Sequence, residues 1–406
     1  MSFYKYIFSI KNDNIHKVIT IFGIKIKIKS KKLVQIQKLE NIEKKLAVQQ
    51  NVIAEQKSTI YDLENQILEQ VIQLRKTKKE LTETLSTRLN IPKVSVIIPI
   101  FNAEKYLRES LNCVINQTLK DIEIICVNDA STDNSLAILN EFASVDRRIK
   151  IISHETNQGP GAARNAGLSI AQGLYLSFLD ADDSCKNDFL EKMYIALLEN
   201  ASDVAICSFN FINIDNDNTN VAIKRIKKSG NFFLNNNNRA DINVELWNKL
   251  FRKNIVDKHN IKFPNTKLGD DTSFTRQYLM MSEYAVGVDE ILYDYQRNNE
   301  GIMSTLSRQG EYIFESLSAQ IYTLKYIKSL SAEKQNECIE FYLLVLKKYM
   351  RFFLKYVPDS RRVELLTKIS DDILNKIPEN YLLDEEFINI RNKNFNNYIS
   401  DLFVVN

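Results

Sequence analysis

Three carboxylates fall within four positions at Asp180-Ala181-Asp182-Asp183, directly after the apolar stretch Gly173 to Leu179. That stretch reads as a buried strand, so the aspartates cluster at a sheet edge. Ionised carboxylates this close repel unless a cation sits between them, so the chemistry they suggest is divalent metal binding. Taken alone, such a D-x-D-D also suits a solvated acidic turn. A second acidic pair, Asp270-Asp271, follows Gly269. It suits either a general base for a hydroxyl or the acidic first turn of a helix. Polar groups also close two other β-branched runs: Pro99-Ile100-Phe101-Asn102 ends the run from Val94, and Asn128-Asp129 ends Ile122 to Val127.

The elements around these residues alternate. Val94 to Pro99, Ile122 to Val127, Ile149 to Ile152, Leu174 to Leu179 and Asp203 to Phe209 read as strands. Tyr106 to Gln117, Ser135 to Phe142 and Ala162 to Ala171 have helical spacing, the last opened by Gly159-Pro160-Gly161. Ser131-Thr132-Asp133 offers capping hydroxyls at a helix entry. Strand–helix alternation implies an α/β fold with a mostly parallel sheet and helices on both faces. Ligands bind such sheets at the carboxyl ends of strands. The three polar clusters all fall at such ends.

The ordered motifs V-S-V-I-I-P-I-F-N, V-N-D-A-S-T-D-N-S, N-Q-G-P-G-A-A-R-N-A-G and F-L-D-A-D-D resemble the family 2 inverting glycosyltransferases of the GT-A fold, a Rossmann-like architecture. The likeness covers Val94 to Phe209. It implies a metal-dependent transfer of sugar from a nucleotide-sugar, with a UDP-sugar as the expected donor, to a hydroxyl of a surface glycan or lipid-linked saccharide. Pro99 and Phe101 match positions that wall the nucleotide base. Asp129 matches the acid that hydrogen-bonds the base, and Asn128 replaces the acid common before it. Arg164 matches the nucleotide-contacting segment, where a guanidinium beside a helix start suits a diphosphate. Asp180 and Asp182 match the D-x-D, expected to bind ribose and a Mn or Mg ion that bridges the phosphates. Whether Asp182 or the adjacent Asp183 ligates directly is left open. Leu246 to Arg252, Phe263-Pro264 and Gly269 to Phe274 resemble the acceptor-side half of the same family. There Asp271 is expected as the base that deprotonates the acceptor, with Asp270 as its supporting acid. Tyr293-Asp294-Tyr295-Gln296-Arg297 resembles a Y-x-Y-R segment with Gln296 inserted, and Arg297 and Ser304 match a phosphate contact and a downstream serine. Trp247, the single tryptophan, suits a sugar face or a core equally.

Two readings from other classes remain. A metal-dependent nucleotidyltransferase or phosphohydrolase also clusters aspartates on an α/β sheet, but the first strand lacks a basic phosphate loop. A coiled-coil scaffold with a decayed transferase domain is the other, and the intact D-x-D and Asp271 argue against it.

The flanking regions give the domain plan: a basic β-rich segment over 1–35, a coiled-coil helix over 36–90, a nucleotide-sugar half over 91–215, an acceptor half over 216–309 and a helical region over 310–406. Residues 1–35 hold eight lysines against one acid, Asp13, and Ile24 to Lys29 alternates isoleucine and lysine. This is read as a small hairpin with Gly23 in its turn, or as a contact with an anionic membrane surface. Leu39, Leu46, Ile53, Ile60, Ile67, Leu74 and Leu81 recur every seventh residue, a coiled-coil pattern that implies homo-oligomers. The companion seam, Ile42, Gln49, Gln56, Leu63, Gln70, Thr77 and Thr84, is mixed, and a single helix folding back is the alternative. Ile339 to Val357 is basic and amphipathic, read as a helical cap or an interfacial membrane helix. The net charge of +3 gives no argument for nucleic acid. Five cysteines without C-x-x-C spacing and three scattered histidines, His16, His154 and His259, point to reduced thiols and no histidine cage. No signal peptide or spanning segment is apparent, so the expected location is cytoplasmic, with peripheral attachment at the inner face of the membrane as an extension.

Overall fold

The computed structural model describes residues 8–13, 16–21, 24–29, 31–215, 218–266, 268–297, 312–354, 357 and 359–395. The chain forms two compact units, Met1–Leu74 and Arg75–Asn406.

In the first unit, β1 (Phe8–Asp13), β2 (His16–Ile21) and β3 (Ile24–Lys29) form an antiparallel meander. The expected hairpin thus gains a third strand, and Gly23 lies outside the described residues. Register pairs Phe8 with Ile21 and Ile10 with Ile19 across the first two strands, and Lys17 with Ile28 and Ile19 with Ile26 across the next two. The helix α1 (Lys31–Leu89) runs for 59 residues, about 88 Å at 1.5 Å per residue. Its heptad residues Leu39, Leu46, Ile53, Ile60, Ile67, Leu74 and Leu81 are between 50% and 69% exposed.

The second unit holds a mixed sheet of ten described strands. Its parallel half is β4 (Val94–Ile100), β5 (Ile122–Asn128), β6 (Ile149–Ser153) and β7 (Tyr175–Phe178), in spatial order β6-β5-β4-β7. Crossover helices α2 (Leu107–Ile115), α3 (Ser135–Val145) and α4 (Pro160–Ile170) link them. The order reverses beside β4, which opens a crevice beyond the strand ends. The chain continues through β8 (Ser184–Cys185), α5 (Phe189–Asn200), β9 (Val204–Asp215), β10 (Asn218–Lys224), β11 (Gly230–Phe233), the single-turn α6 (Asn236–Arg239), β12 (Lys249–Arg252), α7 (Lys253–Lys258), α8 (Asp270–Met281) and β13 (Tyr284–Arg297). β12 joins antiparallel between β7 and β9, and β13 pairs parallel with β9.

Both faces of the parallel half are buried, as its unbroken apolar strands require. Ile97, Ile125, Leu176 and Phe178 face one core with residues of α4, α7 and α8. Val96, Ile98, Ile124 and Tyr175 face the other, with residues of α2, α3 and α5. The first core extends into α9 (Tyr312–Lys328), α10 (Ala332–Phe353), α11 (Asp359–Asp372) and α12 (Glu385–Arg391). Within α10, Phe341, Tyr342, Leu346 and Met350 are at most 1% exposed. Its cations are paired: Lys347 with Asp384, Lys348 with Asp241, and Arg351 with Glu386. The described part of Ile339 to Val357 therefore turns most of its apolar residues to the protein core, the arrangement expected of a helical cap, with Phe352 left exposed. Lys355 and Pro358 lie outside the described residues. No helix among the described residues is long and apolar enough to cross a membrane, and the five cysteines are free.

Candidate active site

A cavity of about 1550 Å³ opens at the carboxyl ends of β4, β5 and β7 and extends along β9, the segment before β12 and the first turn of α8. Pro99, Phe101, Asp129, Arg164, Asp180, Asp182, Asp270 and Asp271 all line it. Residues as far apart in sequence as Pro99 and Asp271 therefore share one space.

The loops after β4 and β5 are stitched together. Asn102 sits at φ 48°, and its Oδ1 accepts from the Thr132 backbone N at 2.8 Å. Ser131 and Ser135 hydroxyls accept from the backbone N of Asn102 and Ala103. Pro99 and Phe101 thereby present a wall, with Phe101 48% exposed. Asp129 is buried and its carboxylate is well occupied. It accepts from the backbone N of Gln158 at 3.0 Å and of Gly159 at 2.8 Å, and pairs with His154 Nδ1 at 2.6 Å. In this structure Asp129 fastens the loop before α4 to the end of β5. Asn128 turns its Oδ1 to the Ser131 N.

The aspartates after β7 take unlike positions. Asp180 and Asp182 line the cavity; Asp183 does not. Asp183 is 1% exposed and accepts from the Tyr293 hydroxyl at 2.9 Å and the Gln296 N at 2.7 Å. It thus ties the acidic turn to β13. Burial pushes its carboxyl well above the usual range, and the nearby Asp180 and Asp182 charges add to that. The surplus negative charge at this edge fits a dication. Mg²⁺ and Mn²⁺ sites of this kind use one or two protein carboxylates and take further oxygens from substrate phosphates. Among the described residues no group of three or more His, Cys, Asp or Glu forms a self-sufficient cage.

The opposite wall comes from later sequence. Gly269, at φ 78°, precedes α8, where Asp270 and Asp271 form the first turn. Asp270 is buried and Asp271 half-buried. Burial, followed by the Asp270 charge, pushes the Asp271 carboxyl up to about 7, against the pull of Arg164 and the Thr272 N–H. Arg164 of α4 spans the two walls: Nη2 donates to Asp180 at 2.7 Å and Nη1 to Asp270 at 2.5 Å. Burial works against its charge, but Asp270 and Asp180 outweigh that and raise its pKa. Its Nε is buried without a partner. Arg164, expected on a diphosphate, is held here as a bridge between carboxylates. Gly161 makes this approach feasible, because a Cβ there would collide with the Pro264 carbonyl oxygen.

Two groups on this wall escaped the sequence reading. Lys249 is fully buried, and its Nζ donates to Asn243 Oδ1 (2.8 Å), the Glu245 carbonyl (2.5 Å) and Asn248 Oδ1 (2.8 Å). Burial lowers its pKa to about 8. It gathers the irregular segment 243–248 into the cavity wall. Glu245 lines the cavity, and its Oε2 is buried with no partner. A lysine or glutamate in a polar stretch carries no signal of burial; only the W-N-K-L run beside them hinted at a site. Trp247 is 6% exposed and stacks on Tyr293 (4.6 Å between centroids) and Tyr295 (5.1 Å), with Phe209 edge-on. Its ring is packed chiefly in the core, although it touches the cavity. Arg297 ends β13, and Ser304 lies outside the described residues.

Residues 95–259 match the family model described as Glycosyl transferase family 2. Over 189 residues the chain is 36% identical to an uncharacterized glycosyltransferase of Haemophilus influenzae, covering 46% of this chain and 72% of that protein. It is 33% identical over 214 residues to the glycosyltransferase GlyA of Streptococcus pneumoniae, covering 50% of this chain but 30% of GlyA. The fold resembles that of S. aureus TarS 1-349 in complex with UDP-GlcNAc, with TM-score 0.62 and 22% identity, over 75% of this chain and 89% of the other. With the strand-end carboxylates and the parallel half-sheet already in view, these likenesses agree: the chain is a glycosyltransferase and belongs to glycosyltransferase family 2.

Proposed function

We propose that this enzyme transfers a sugar, with inversion, from a nucleoside diphosphate donor to a hydroxyl of a glycan, with a UDP-sugar as the donor. The observation that carries this is one cavity holding Asp180 and Asp182 on one side and Asp271, titrating near neutrality, on the other. Pro99 and Phe101 would flank the base. Asp182 and Asp180 would hold a divalent metal, which would neutralise the diphosphate leaving group as a Lewis acid. Arg164 keeps Asp180 and Asp270 in place, so the two walls hold a constant separation. Asp271 accepts the proton of the attacking hydroxyl. A general base works best with a pKa near the working pH, and burial has moved Asp271 there. A single base facing the donor suits direct displacement, hence inversion.

Titration calorimetry with UDP, GDP, CDP and dTDP, each with Mn²⁺ and with EDTA, tests this reading. Binding of one nucleotide that EDTA abolishes supports it. No binding of any nucleotide by the folded protein overturns it.

We also infer that α1 pairs with a second copy of the chain through its exposed heptad seam. Light scattering of the full chain and of a variant with Ile53, Ile60 and Ile67 changed to Lys decides it: a mass unchanged by the substitutions removes the pairing.

A further inference from the structure

The cavity is larger than one donor needs, and part of its wall is basic. Pockets for small ligands usually enclose roughly 300–1,000 Å³, against about 1550 Å³ here. Lys224, at the end of β10, and Arg225, Lys227 and Lys228 after it all line the cavity. Arg225 pairs with Asp289 at 3.1 Å, and Lys227 reaches Asp241 at 3.4 Å. Lys348 of α10 meets the same Asp241 at 2.8 Å. Three cations therefore share two carboxylates. Lys224 and Lys228 have no carboxylate partner among the described residues. β10 pairs with β9 alone, and lysines commonly guard such edges. That accounts for Lys224, but not for three further cations that follow the strand and face the cavity.

A second observation lies on the same wall. The Glu245 Oε2, in the same cavity lining, is buried without a partner and close enough to Asp271 to raise its pKa. Buried oxygens in native proteins are nearly always satisfied, so this one awaits a donor from a ligand.

We propose that this wall is a subsite for an acceptor that carries anionic groups, phosphate diesters or carboxylates, beside the hydroxyl to be glycosylated. The Lys224–Lys228 strip holds the anion as a set of point charges, while Glu245 Oε2 accepts a hydrogen bond from an acceptor hydroxyl next to Asp271. The inference rests on reading the cavity as a transfer site and adds the chemical class of its second substrate.

Fluorescence anisotropy at low salt with labelled polyphosphate, polygalacturonate and neutral dextran tests it on the full chain. Wild type binds one or both polyanions and not dextran; which polyanion binds separates phosphate from carboxylate. Lys224→Glu with Lys228→Glu weakens that binding by about tenfold or more, since like charges brought together cost several kcal/mol. Lys325→Glu with Lys328→Glu, exposed positions on α9, leaves it unchanged. Absence of polyanion binding, or equal weakening by both pairs, overturns the proposal. Nucleotide binding measured on the same samples keeps the two readings apart: its absence with polyanion binding intact sinks the donor assignment, not this one.

Discussion

On one side of the cavity the polar groups hang from the ends of parallel strands; on the opposite wall they come from one helix start and an irregular segment. Asp129 follows β5 and Asp180 follows β7, so sheet geometry alone delivers them to a common edge. Asp271, Glu245 and Lys249 have no such shared frame. They are held by specific contacts: the Asp270–Arg164 bridge and the three hydrogen bonds of Lys249. The lesson is one of division. The strand-end edge is a property of the topology, whereas the opposite wall depends on a few buried charges, and those are where it breaks.

The largest effect expected falls on the chemistry proposed for the wall that holds Asp271. Asp271→Asn should lower sugar transfer by about 10²–10⁴-fold, the range for loss of a general base, while nucleotide binding by calorimetry stays intact. If transfer survives, the base lies elsewhere and the contrast between the walls loses its functional half. Arg164→Met strikes both walls at once. It leaves Asp180 and Asp270 without their shared cation, and breaking a buried pair in this way costs roughly 3–5 kcal/mol. Urea unfolding of the second unit reads that loss. A change below about 1 kcal/mol, as for an exposed pair, would show that the bridge does not join the walls.

Lys249→Met should cost about 2–4 kcal/mol, because it strands three acceptors inside the protein. Its pH dependence has a definite sign. The folded lysine is depressed to about 8, against about 10.4 unfolded. Between those values the unfolded chain binds more protons, so this group's penalty fades and stability rises with pH. The methionine variant should lose that rise in thermal melts taken from pH 8 to 10; an unchanged slope assigns it to another group. The smallest effect concerns rate. Wild-type transfer should climb as pH passes about 7, where Asp271 loses its proton. Glu245 raises that pKa, so Glu245→Gln should move the midpoint to lower pH by a few tenths of a unit, on the order of the shift from one screened charge. A pH–rate profile of the variant that does not move, or moves upward, separates Glu245 from the base.

The comparison also explains what could be read in advance. The strands from Val94 to Phe178 were legible because buried parallel strands are written as unbroken β-branched runs, and their ends are marked by the first polar residues. The boundaries moved by a residue or two, except that the strand read as ending at Phe209 runs on to Asp215, paired with β13 as far as Asn213 and with β10 to its end. The hairpin became a meander because Phe8 to Asp13 carries no strong alternation of its own and is recruited by pairing with β2.

The chain's own order of residues determined the α/β frame, the acidic turn at its edge, the long heptad helix and the place of Asp271 at a helix start. These are local patterns, set by side-chain periodicity and by what a strand or helix end tolerates. Only the tertiary structure decided that Asp183 turns inward to Tyr293 while Asp182 faces the cavity, and that Arg164 meets Asp270 across 106 residues. Only it decided that Lys249 is buried and that Glu245 is left with an unanswered oxygen. Each of these is a question of which charge is buried against which partner. Adjacent aspartates look alike in sequence, and the free energy of a buried charge depends on neighbours that only folding supplies.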